Sequence, residues 1–208
     1  MSAPVSRMPQ TPAETARALF AALEEHSWVD VAELIDSAEI VAFRDHYLDG
    51  LVTFAESRSI QAQLPERHGI SLYLTHGGER RDLEKYADLK LPVFTDVATL
   101  GDLAALDPIQ FLVKWIEATQ RLGGWGSRGP GSRRIVLGEV MEGDALAHVL
   151  YRFDRSAEDP LHASEPPEAT NTHILTFRRA DSVWRAFVNR DLVFQPSVMM
   201  QLESPYRR

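Results

Sequence analysis

Arg133-Arg-Ile-Val-Leu-Gly-Glu-Val-Met-Glu-Gly-Asp-Ala-Leu-Ala-His-Val-Leu-Tyr-Arg-Phe153 is the stretch on which the fold turns. Its β-branched and aromatic residues lie on either side of Gly143-Asp144, the composition of two strands joined by a tight turn. The pattern resumes as His173-Ile-Leu-Thr-Phe-Arg-Arg179, breaks at Ala180-Asp-Ser182, and continues as Val183-Trp-Arg-Ala-Phe-Val-Asn189. Runs of this kind, punctuated by Gly, Asp and Ser, predict an antiparallel meander.

The first hairpin carries a geometric expectation. A two-residue turn at Gly143-Asp144 sets Glu142 against Ala145 and, counting back, Glu139 directly against His148. Opposed side chains share a face with Cβ atoms roughly 5 Å apart. A carboxylate that orients an imidazole is the arrangement a general base requires, which makes Glu139 and His148 the candidate catalytic pair. The competing reading is a half-exposed pair that satisfies only itself or lies in a dimer interface, and a slip of one residue would separate the two. On the other face of the same strand lie Val149, Tyr151 and Phe153. Tyr151 is either a phenolic donor at a pocket mouth or a core aromatic. If residues 180–182 form a three-residue loop, His173 faces Asn189 and adds polar groups to a ligand site. Trp184 is a candidate pocket wall.

Upstream the signals are helical. Thr11-Pro-Ala-Glu14 is an N-cap, a first-turn proline and a capping-box glutamate, opening a helix that ends near His26. Residues 29–35 predict a second, short helix. Asp36-Ser-Ala-Glu39 reads as another capping box, starting a long helix with Ile40, Phe43, Tyr47, Leu51 and Phe54 on one face, reaching about residue 63. Between 64 and 106 the pattern is weak: a short strand at 70–74, a charged helix at 79–88, and an irregular apolar segment at 91–94. Asp107-Pro108 starts a further helix running to about Arg121, with Phe111, Leu112, Trp115, Ile116 and Thr119 on one face. Trp115 is either a pocket wall or part of that packing face.

This order of helices followed by a meander is α+β. The helix pair over residues 18–35, the hairpin over 138–152, and the segments 176–179 and 183–187 together resemble the nuclear transport factor 2-like superfamily. The resemblance implies a cone: a curved antiparallel sheet wrapped around N-terminal helices, cystatin-like, with a pocket at its open end. It implies ligand-binding proteins and acid–base enzymes of the ketosteroid isomerase and polyketide cyclase kind, and homodimers through the outer sheet face. No position matches the family's catalytic acids, and the region 64–106 exceeds a minimal member.

Length and composition set the outer bounds. With 208 residues, the chain fits one domain with a flexible lead-in at 1–10, an extended middle region at 64–106 and a Gly-rich loop at 122–132. A net charge of −8 argues against nucleic-acid or anionic-membrane partners, because phosphates must be met by Lys and Arg. The absence of cysteine removes disulfides and thiolate chemistry. No apolar leader and no window of about eighteen apolar residues is present, so a cytoplasmic protein is expected. Metal ligation is not indicated: His68 and His76 stand in an irregular region, and His162 is in an acidic, proline-rich loop. No cofactor is implied. Arg128, Arg133 and Arg134 around the Gly-rich loop would suit a phosphate, although solvated charges on a linker explain them more simply. The expectation is a protein binding an apolar small molecule in the cone, with a non-catalytic dimerisation or docking module as the alternative.

Overall fold

The computed structural model describes residues 11–63, 83–121, 133–153 and 172–188. Five α-helices and four strands occur among them: α1 (Pro12–Glu24), α2 (Trp28–Glu33), α3 (Ser37–Gln63), α4 (Leu100–Ala105), α5 (Pro108–Arg121), β1 (Arg134–Glu142), β2 (Leu146–Phe153), β3 (His173–Ala180) and β4 (Val183–Ala186). A single turn of 3₁₀-helix spans Glu84–Tyr86. The strand predicted at 70–74 and the Gly-rich loop lie outside the described residues, as do His68, His76, Arg128, His162 and Asn189.

The N-terminal helix forms as its sequence dictates. Thr11 Oγ1 accepts from the Glu14 amide at 3.1 Å and the Glu14 carboxylate accepts from the Thr11 amide at 3.2 Å. This closes two of the donors a helix start leaves open. Ala16, Leu19, Phe20 and Leu23, spaced by three and four, are buried and lay α1 along β1, β2 and β4. In α3 the face Ile40, Phe43, Tyr47, Leu48, Leu51 and Val52 is buried, and it packs against α5, which also lies on α2. The molecule is therefore α+β, with helices stacked on one side of a sheet and a second helical layer beyond α1.

The predicted start of α3 holds only in half. Asp36 Oδ1 does cap it, accepting from Ala38 at 2.9 Å and Glu39 at 3.2 Å. The return bond from Glu39 is missing because the Asp36 amide donates instead to Ala186 O at 2.8 Å. With Ala186 N donating to Leu34 O, this makes Ile35 a one-residue parallel extension of the sheet beside β4. Asp36 thus joins sheet to helix. Arg178 seals the junction, its guanidinium 4.5 Å over the Phe187 ring and 3.4 Å from Asp36 Oδ2.

In the middle region the charged helix expected at 79–88 is, within its described part, only the 3₁₀ turn at Glu84–Tyr86. A helix the sequence reading had not singled out, α4, opens on a reciprocal box between Thr99 and Asp102. Gly101 lies so close to the 3₁₀ turn that an added Cβ would come within 3.2 Å of Ala87. Between them, residues 90–99 form a loop closed at its neck by Leu91 N donating to Ala98 O and Leu100 N donating to Leu89 O.

The strands are a meander in the order β1-β2-β3-β4, antiparallel throughout. Both turns depart from expectation by one residue, in opposite directions. The first connection uses three residues, Gly143 to Ala145, so Glu142 opposes Leu146; Gly143 takes a φ of 68° that a side chain resists. The second uses two, Asp181 and Ser182, both left-handed at 50° and 66°, so Ala180 opposes Val183. That is the backbone of a primed hairpin turn, whose twist matches the strands it joins. β1 also bulges, Leu137 being the extra residue between Val136 and Gly138.

Candidate functional site

Register decides which side chains meet. Glu139 opposes Val149, and His148 opposes Val140. The expected opposition of Glu139 and His148 does not form, because the three-residue turn moves each pair between it and the bulge at Leu137 by one, and one step in a strand changes face. Glu139 faces the helices, where its carboxylate accepts from the Ala13 amide of α1 at 2.8 Å. An acid on a helix N-terminus is favoured by the exposed donors and the dipole, so Glu139 is committed to docking α1. His148 lies on the opposite face. Its Nε2 is 2.9 Å from Glu142 Oε2 and its Nδ1 3.1 Å from Thr176 Oγ1. An acid–imidazole pair therefore exists, with Glu142 in place of Glu139. The glutamate side chain is 68% exposed, so the pair sits in water and contributes roughly 0–1 kcal/mol.

The helix-facing side carries Ala147, Val149 and Tyr151 of β2 and Leu175 and Phe177 of β3, all buried. Tyr151 opposes His173 and the rings stack, centroids 5.3 Å apart. Phe153 meets the same imidazole edge-on at 5.1 Å, and Phe20 of α1 lies 4.9 Å from Tyr151. Arg134, opposite Phe153, completes the group. Its guanidinium lies 4.9 Å from the Phe153 centroid and 5.7 Å from that of Phe20. At 6% exposure Arg134 is no solvated linker charge, which corrects the simpler reading of the basic cluster. A guanidinium is weakly hydrated and planar, and it tolerates burial over rings where an ammonium would not. The structure thus brings two predicted residues, Tyr151 and His173, into contact, and adds Arg134, Phe20 and Phe153. Arg134 was detectable from the hairpin count itself, because the bulge at Leu137 restores the expected register and sets Arg134 against Phe153.

The other two predicted wall residues stand elsewhere. Trp184 opposes Arg179, six positions along β3 from His173, which is roughly 20 Å at 3.3 Å per strand residue. It is buried under the Arg179 guanidinium. Trp115 belongs to the second helical layer. Its ring lies 4.2 Å from Tyr47, 5.7 Å from Phe43 and 5.8 Å from both Phe94 and Phe111. It is 0% exposed, and its Nε1 is buried with no hydrogen-bond partner among the described residues. An indole nitrogen can only donate, and leaving such a group unmet costs about 1–3 kcal/mol. Burial pushes the neighbouring Tyr47 hydroxyl up to about 12, because a phenolate there would lose its hydration.

Among the described residues no group of three or more His, Asp or Glu side chains is placed to hold a metal ion. Nor is any described helix long and apolar enough to cross a membrane. No protein-family model, curated protein or solved structure matches the chain.

Proposed function

We propose that this protein binds a small molecule on the helix-facing side of its sheet, at the end where β1 begins and β2 finishes, as a nuclear transport factor 2-like cone would. The observation that carries the reading is the Tyr151–His173 stack beside the buried Arg134. Ligand sites combine apolar and aromatic walls with a few placed polar groups, and this is where those components converge. The ligand suited to them has a flat apolar body and one acidic or carbonyl end, the body against Phe20 and Phe153 and the polar end toward Arg134. Binding, without turnover, is the reading, because Glu139 is engaged with α1 and His148 is on the far face.

A thermal-shift screen of aromatic carboxylic acids and their methyl esters tests it, since a compound bound only by the folded chain raises its melting temperature. At least one acid is expected to do so. Its affinity should fall about tenfold in His173→Ala, the size of one lost polar or stacking contact, and stay unchanged in His148→Ala. Equal binding by both variants would place the ligand elsewhere and end the proposal.

A second reading has its own observation. On the face away from the helices, Val140 and Ile174 are 55% and 59% exposed, beside the half-buried Leu146 and Leu150. A second copy of the chain, packed outer face to outer face, would cover them.

A further inference from the structure

The Trp115 cluster is separate from the sheet-borne group: its ring partners come from α3, α5 and the loop 90–99, none from a strand. Four rings surround an indole whose N–H, wholly buried, meets no acceptor among the described residues. Native chains rarely leave such a donor idle, and where one persists a missing partner is the first explanation. Tyr47, at 4.2 Å, supplies a second donor, since its hydroxyl stays protonated throughout the physiological range. Both polar groups can therefore give a hydrogen bond and neither carries charge, so the cluster suits a neutral ligand that brings an acceptor.

The loop 90–99 has the construction of a cover. Its neck is closed by two backbone bonds, and α5 ties it down twice, Arg121 donating to Val93 O at 2.8 Å and Lys114 Nζ lying 3.9 Å from the exposed Asp96 carboxylate. Asp96 takes a left-handed φ of 63° beyond Phe94. Phe94 is the one ring of the cluster borne by the loop and not by a helix. Released, it would vacate a space of its own dimensions beside the Trp115 ring, 5.8 Å away. Loops held by few bonds open at lower cost than the helices beneath them.

We propose that this cluster is a second binding site, which takes a flat, uncharged, apolar molecule bearing one hydrogen-bond acceptor, such as an aryl ketone, in the place of the Phe94 ring. The acceptor oxygen meets Trp115 Nε1, and the aryl group replaces the displaced phenyl.

Calorimetric titration with acetophenone and with ethylbenzene, which has the same shape without the oxygen, tests this on the full chain and on Phe94→Ala. The variant is expected to bind acetophenone more tightly than the parent. It should also prefer acetophenone over ethylbenzene by about five- to tenfold, the scale of one net hydrogen bond. Adding Trp115→Phe should abolish that preference while far-ultraviolet circular dichroism shows the fold retained. The proposal is overturned if folded Phe94→Ala binds neither compound, or binds both equally, or keeps its preference after Trp115→Phe. If Phe94→Ala fails to fold, Phe94→Val carries the same comparison. His173→Ala serves as the control for the sheet-borne site and should leave acetophenone binding unchanged.

Discussion

Tyr47 is the residue whose environment most alters its chemistry. Its hydroxyl loses protons near pH 10 in an unfolded chain and near 12 in the folded one. Below pH 10 both states hold the proton and stability is unaffected. Between 10 and 12 the unfolded chain releases it first, so stability falls across that window. The loss should approach two pKa units' worth, on the order of 2 kcal/mol. Tyr47→Phe is expected to remove this component: urea unfolding at pH 8.5 and 11.5 should show a smaller drop than in the parent. An equal drop would mean the hydroxyl is already hydrated. Among the charged groups, the informative ones are those whose carboxylates are committed to structure. Glu139 holds the start of α1, and Asp36 serves a helix with its side chain and a strand with its backbone.

At the scale of elements, the two hairpins differ in how well their residues suit their turns. Gly143 meets its left-handed φ without strain, whereas Asp181 and Ser182 both take positive φ, which an aspartate accommodates better than a serine and neither as freely as Asn-Gly. Replacing Asp181-Ser182 by Asn-Gly, the pair this turn favours, should stabilise the chain by about 0.5–1 kcal/mol, read as a higher urea midpoint at unchanged slope. A lower midpoint would show that these side chains do more than turn the chain. The same residues explain why the strand assignments were legible and the pairing was not. Alternation and turn chemistry marked each run. Nothing local to Gly143-Asp144-Ala145 distinguishes a two-residue loop from a three-residue one, and loop length together with the bulge at Leu137 sets the register.

At the scale of the whole molecule the outer sheet face is the open question of assembly. Val140 and Ile174 are the most exposed of its apolar residues. If two copies meet there, Val140→Lys with Ile174→Lys should convert a dimer to a monomer in sedimentation velocity, with the melting temperature falling and becoming independent of concentration. A parent that sediments as a monomer would remove the second reading. The layers also explain the division of labour between the sites. α1 covers the sheet directly and contributes Phe20 to the group around Tyr151, whereas α3 and α5 enclose Trp115 beyond it.

What this amino-acid sequence determined by itself is the set of elements: capped helices from Thr11, Asp36 and Asp107, and strands marked by β-branched alternation. These are short-range properties, governed by propensity, capping and periodicity within a few residues. Which residues face each other was settled only by the assembled sheet. The helix-facing side of β2 had to be apolar and continuous, and the turns adjusted to deliver it. That adjustment sent Glu139 to a helix terminus and His148 to Glu142 on the far face. Arg134, read as a solvated charge, is buried between two rings beyond the bulge, where the simple hairpin count still holds. Periodicity marked the buried faces of the helices, but the burial of a charged strand residue is a property of the packed layers.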